Sequence, residues 1–226
     1  LTAVAPPTTA ATKTTTKTTA KPRTTAKRTT TAKAAPWRQL AVSSKGLAEV
    51  SGCAVSRRDP TRVWVHNDSG DGPKVFAVDG RTGTVGPAVT LRGVDVADPE
   101  DIAVTADGDL VLGDIGDNAE ARSGIALYRF AEPSVGATTA EPRAYALRYP
   151  DRAHNAEALV VAPDGTAAYI VTKETSGVAV VFRVDLTATE PQVLQQVATI
   201  TITGEGFLQP NLVTAADLAR MKPTAL

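Results

Sequence analysis

The chain has 226 residues, 42% of them hydrophobic, and its 24 basic and 24 acidic side chains give a formal net charge of zero. That length and apolar content are enough to build a buried core, while the absence of any run of about 18 apolar residues excludes a membrane-spanning helix. The zero charge conceals a division: residues 1–36 hold seven basic residues, no acid and fourteen threonines, which leaves 17 basic against 24 acidic groups for the rest, a net of −7.

Residues 8–36 show no hydrophobic period and few large side chains, with prolines at Pro22 and Pro36. Such a segment buries too little apolar area to offset its chain entropy and is expected to be a disordered linker. Leu1-Thr2-Ala3-Val4-Ala5 has the small-x-small ending of a secretory signal. An extracellular or cell-envelope location is therefore expected, with the lysines drawn to anionic polymer and the threonines open to O-glycosylation. The basic residues are spaced by threonine pairs with no aromatics among them, a pattern that argues against nucleic-acid binding.

From residue 37 to 226 the pattern changes to short apolar runs divided by Gly, Asp and Pro, and these runs repeat. The first unit has strand candidates at 52–56, 63–66, 75–79 and 88–93; the second at 101–105, 110–113, 125–130 and 144–149; the third at 158–162, 168–172, 178–185 and 197–203. Ser51, Glu100, Glu157 and Ala215 fall at equivalent positions, at spacings of 49, 57 and 58. Four strands per period of about 50 residues is the pattern of a propeller blade. Asp107-Gly108 and Asp164-Gly165 supply tight turns, and Phe76, Tyr128 and Phe182 recur in the third strand, where one aromatic per blade would fill the gap between sheets. The fold class expected is all-β: about three four-stranded blades plus the start of a fourth near Ala215, an incomplete propeller. It reads as a truncated piece, or one that another chain completes. The single cysteine, Cys53, lies in an apolar run and is expected to be a buried structural thiol.

In a blade the innermost strand crosses from one face to the other and the second strand returns. The segment leading into the first strand and the one leaving the second therefore share one face near the axis. That is where the unusual polar residues fall: Asp98-Pro99-Glu100-Asp101 and His154-Asn155-Ala156-Glu157 lead in, and His66-Asn67-Asp68, Asp114 with Asp117-Asn118, and Thr172-Lys173-Glu174 lead out. Carboxylates gathered at one mouth repel unless they share a cation, and oxygen ligands suit Ca²⁺ better than zinc. Glu100, Asp114, Asn155 and Glu157 are the metal-ligand candidates. Asn67, Asp68, Asp117, Asn118 and Lys173 are the ligand-binding candidates, and His66 and His154 the candidate catalytic bases. The alternative for the acids is that they only cap loop amides and pair with Lys173 or nearby arginines. Asn67-Asp68-Ser69-Gly70-Asp71-Gly72 imitates the start of a calcium loop, but the twelfth position is Val78 rather than Glu. Serine nucleophile elbows, phosphate loops and zinc spacings are missing.

The segments 66–71, 98–103 with 114–118, and 154–159 with Val171-Thr172-Lys173 resemble secreted actinobacterial propeller-like proteins. Those are similar to the six-bladed TolB-like class, which also holds beta-propeller phytases and gluconolactonase-type enzymes. The resemblance covers roughly residues 40–217. It implies a propeller scaffold, and if the hydrolase pattern applied, Glu100, Asn155 and Glu157 would match its metal ligands. The function expected is a secreted or cell-surface binding or scaffold module. Its loop-rich axial face would recognise a polar or anionic small molecule, a glycan or a cell-wall polymer, with another protein as a further candidate partner. The alternative is a Ca²⁺-dependent hydrolase of the lactonase or phosphoesterase type.

Overall fold

The computed structural model divides the chain into Leu1–Arg38 and a unit spanning Gln39–Leu226, and it describes residues 39–42, 46–202 and 212–218. The expected linker thus lies outside the described residues. Within them there is no helix, and the strands form three separate sheets.

The first blade is built from β1 (Val50–Val55), β2 (Arg62–Asn67), β3 (Lys74–Asp79) and β4 (Val89–Leu91). The second has β5 (Pro99–Val104), β6 (Leu110–Asp114), β7 (Ile125–Phe130), the two-residue β8 (Thr139–Ala140) and β9 (Arg143–Arg148). The third has β10 (Ala156–Val161), β11 (Ala167–Thr172), β12 (Val178–Asp185), the two-residue β13 (Gln192–Val193) and β14 (Gln195–Thr201). Consecutive long strands pair antiparallel within each blade. Every one of the twelve expected strands is there. The two short ones, β8 and β13, were not foreseen, because two residues are too few to show an alternation. Each joins the outer strand of the preceding blade in parallel, β8 to β4 and β13 to β9.

The inner strands begin about two residues earlier than the hydrophobic pattern predicts, because polar residues open them. Each carries one extra residue against its partner. Val50 faces Asn67 but Cys53 faces Val65; Pro99 faces Asp114 but Asp101 faces Gly113; Ala156 faces Thr172 but Ala158 faces Val171. This is a β-bulge at the same place in three blades, and it leaves the extra residue out of the ladder, free to be re-aimed. In the second and third blades that residue is Glu100 and Glu157. They are strand residues, not loop residues as expected.

Packing between blades makes the core. Successive residues of β6 serve both sides: Leu110 and Leu112 join Trp64, Val75, Leu91, Tyr128 and Phe130 between the first two blades. Val111 joins Leu127, Tyr145, Leu159, Ile170 and Phe182 between the second and third. A strand buried on both faces has no polar alternation, which is why β6 reads as a continuous apolar run up to its terminal Asp114. Phe76, Tyr128 and Phe182 all lie in third strands and are all buried. The outer face of the first blade, around Val65, Phe76 and Val78, is met by Leu47, Val85 and Ala88. That of the third, around Ala158, Val171, Ala179 and Val181, is met by Val213 and Ala216. Residues 212–218, expected to open a fourth blade, are in no strand and form that cover instead.

Cys53 departs from expectation: it is exposed. The bulge turns Gly52 inward, against His66 and β5, so its neighbour faces out. Partial desolvation, with the carboxylates of Asp101 and Asp217, raises its thiol pKa, the reverse of what activates a cysteine.

Candidate functional site

The three bulges place their polar residues where the inner strands adjoin. Ser51 Oγ donates to the Glu100 carbonyl oxygen at 3.0 Å and to Glu100 Oε2 at 3.3 Å, tying the first blade to the second. Beside Glu100 lie Asp98, from the same strand lead, and Asp68, just past the end of β2. One oxygen from each of Asp68, Asp98 and Glu100 lies within 4.8 Å of the others. Two oxygens on opposite sides of a Ca²⁺ ion at about 2.4 Å stand about that far apart, so the spacing suits a shared hard cation.

Beneath the carboxylates is Gly116. Its N–H donates to the Asp98 carbonyl at 3.0 Å, and a methyl group on its Cα would lie 2.4 Å from Asp98 Oδ2 and 2.6 Å from Glu100 Oε1. The two side chains occupy the space a Cβ would need, so glycine here is required by close approach.

The electrostatics follow from this crowding. Burial, reinforced by Glu157, Asp68 and Asp98, pushes the Glu100 carboxyl up to about 8, against a smaller opposing hydrogen bond from Ser51. Asp98 is raised as well, first by desolvation and then by Asp68. Among the described residues no basic side chain forms an ion pair with Asp68, Asp98 or Glu100.

The remaining sequence candidates separate into other roles. Asp114 is not a free ligand: Oδ1 accepts the Asp98 N–H at 2.8 Å and Oδ2 pairs with Arg122 at 3.0 Å. Asn155 is likewise engaged. Its Oδ1 accepts the Asp117 N–H at 2.9 Å, Nδ2 donates to Asn118 Oδ1 at 3.1 Å, and its carbonyl accepts the Lys173 N–H at 2.9 Å. Asp117 accepts the Arg122 N–H at 2.7 Å and so closes its own turn. Glu157 faces the cluster from the third blade but is ion-paired with Lys173. Asn67 is held by Gly46 and Asp71.

Neither histidine is placed as a free base. His66 is fully buried; its Nε2 accepts the Gly52 N–H at 3.1 Å and its Nδ1 donates to the Asn67 carbonyl at 2.8 Å. It satisfies the backbone amide that the first bulge leaves over, and burial lowers its pKa. His154 has Nδ1 2.8 Å from Glu174 and Nε2 3.2 Å from Asp151, and its ring packs on Tyr149 and Phe182.

Two acids gain importance. Asp98 belongs to the polar lead-in of β5 and joins Glu100 in the cluster. The bulge that re-aims Glu100 breaks the two-residue alternation, so no spacing in the sequence signalled the pair. Asp101 has a structural role: its Oδ2 accepts the Leu159 N–H of β10 at 2.8 Å, clamping the second blade to the third. Its carboxyl is raised to about 6 by burial, partly offset by the amides of Leu159, Ile102 and Ala216.

No family model and no curated protein matches the chain. Among solved structures it is similar to the beta-propeller domain of Myceliophteria thermophila Cps50 (Swd1), at 17% identity and a TM-score of 0.41. The match covers 79% of this chain and 47% of that one, so the chain spans about half of that structure's length. The propeller architecture itself stands on the three repeated sheets.

Proposed function

We propose that the chain is a secreted or cell-surface binding module of the propeller type, related to the six-bladed TolB-like class, whose axial face takes a polar or anionic ligand by way of a divalent cation. The observation that carries this reading is the Asp68, Asp98 and Glu100 group: three carboxylates from two blades, drawn within 4.8 Å and in no ion pair with a basic side chain among the described residues, Arg122 acting on Asp98 only at a distance. Their oxygen-only chemistry fits Ca²⁺, with Asp68, Asp98 and Glu100 as holders and Glu157 beside them. A bound cation would offer open positions to carboxylate, phosphate or sugar hydroxyl oxygens. The Thr-rich basic tail supports a tethered, extracellular setting.

The hydrolase alternative draws less from the geometry. It needs a base beside the cation, and the nitrogens of His66 and His154 are already bound to backbone or to Glu174 and Asp151. Calorimetric titration with CaCl₂ tests the reading. Saturation at about 100 times Kd should add about 2.7 kcal/mol of stability, which for a body of this size raises Tm by about 5–10 °C. Asp98→Asn should abolish the effect, and an unchanged Tm in the unsubstituted chain would falsify the cation site.

A further inference from the structure

The turn between β6 and β7 and the segment between β9 and β10 enclose a small polar cavity of about 130 Å³. The turn contributes Arg122, Ser123 and Gly124, and the segment contributes Tyr149, Asp151 and Arg152. Both stretches run between described strands of the second and third blades, so the cavity is complete within those two blades. At about 30 Å³ for each water it has room for about four.

One group in this lining lacks a partner. The Tyr149 hydroxyl is buried and has no hydrogen bond among the described residues, although its ring is fixed edge-on against His154 and Phe182, with centroids 4.8 and 4.9 Å away. Burial raises its pKa, so the phenol keeps its proton and is a donor in want of an acceptor. Leaving such a group unpaired costs free energy. The charged groups around it are different, because each is already matched. Arg122 pairs with Asp114 at 3.0 Å and donates to the Gly116 carbonyl at 2.7 Å. Arg152 pairs with Glu120 and, at 3.2 Å, with Glu174, while Asp151 lies 3.2 Å from His154 Nε2.

A ligand with a charge of either sign fits these surroundings poorly: an anion would meet Asp151, Glu120 and Glu174, and a cation would meet Arg122 and Arg152. A hydroxyl group suits both, since it donates to a carboxylate and accepts from a guanidinium or a phenol. Each guanidinium carries five N–H groups, so donors remain beyond the ion pairs. We propose that this cavity is a subsite for a neutral sugar, which inserts the edge of one ring so that adjacent hydroxyls meet Tyr149, the two arginines and Asp151. The subsite uses none of the Asp68, Asp98 and Glu100 carboxylates. It is independent of the cation reading, and the experiment is run in EDTA so that the two are judged separately.

The chain has four tyrosines, so ring-labelled tyrosine gives four NMR signals, and that of Tyr149 is the one lost in Tyr149→Phe. Glucose, galactose and N-acetylglucosamine are titrated separately to about 0.1 M, enough to saturate a site with a Kd of about 1–10 mM. At least one should move the Tyr149 signal along a saturating curve while Tyr128, Tyr145 and Tyr169 stay in place, and sodium phosphate should not. Tyr149→Phe should melt no lower than the parent chain, because it loses no hydrogen bond, yet saturation-transfer NMR should show it binding that sugar about fivefold more weakly. A Tyr149 signal unmoved by all three sugars leaves the cavity to water and overturns the proposal. So does tighter binding of phosphate than of any sugar, a lowered melting temperature in Tyr149→Phe, or a sugar that binds Tyr149→Phe as well as the parent.

Discussion

Glu100 is the residue on which the site turns. It keeps its proton to about pH 8 in the folded chain, whereas an unfolded glutamate gives it up in the ordinary carboxylate range. Between those limits the folded state binds the extra proton, so stability falls as pH rises. Urea unfolding in EDTA should show a loss of about 1–2 kcal/mol between pH 6.5 and 8.5 that Glu100→Gln removes. His66 opposes the trend only at the lower edge of that window, where the unfolded histidine still binds protons, because its own pKa is lowered. Ca²⁺ should reverse the trend for the unsubstituted chain, because binding displaces the same proton. Gly116→Ala probes the cradle from below: its methyl would drive the Asp98 and Glu100 carboxylates apart, and calorimetry should show Ca²⁺ affinity down at least tenfold. Glu100, Glu157 and Asp68 could be singled out as acids at repeated positions. Nothing in the sequence separates them from Asp114, because the Arg122 partner that withdraws Asp114 arrives from a turn eight residues away.

At the scale of the strands, the bulge repeated in β1, β5 and β10 does the positioning. It turns Glu100 and Glu157 out of the ladder, and it leaves backbone amides that need partners, which is why a neutral histidine lies buried behind Gly52. His66→Ala should cost about 1–3 kcal/mol by leaving the Gly52 N–H without its acceptor, read as a lower urea midpoint. The Asp101 clamp across β5 and β10 is a separate fastening. Asp101→Ala should destabilise by a similar amount of about 1–3 kcal/mol, while the Ca²⁺ affinity of the folded protein is retained. Periodicity located all twelve long strands, since each keeps an apolar run between turn residues. It missed the bulges, because one extra residue does not break a six-residue pattern, and so it set the inner strands two residues late.

For the whole molecule, the blades share their cores. Trp64 belongs to the cluster between the first two blades and Ile170 to the one between the second and third, and β6 contributes to both. Unfolding should therefore be a single transition. In a Trp37→Phe background, Ile170→Ala should lower stability by about 2–5 kcal/mol, and Trp64 fluorescence in the first blade should report the same lowered midpoint as far-UV circular dichroism. Separate midpoints would mean that the blades melt one by one, as loosely coupled repeats do.

The sequence by itself determined the repeat, the strand count and the end of each blade at which the acids gather, because alternation, turn residues and spacing are local properties. Only the tertiary structure decided which acids meet. That outcome depends on a bulge that rotates two glutamates, a glycine that leaves room beneath them, and arginine and lysine partners that remove Asp114 and Glu157. It also revealed the parallel strands β8 and β13, which are two residues long and acquire meaning only beside the blade they join.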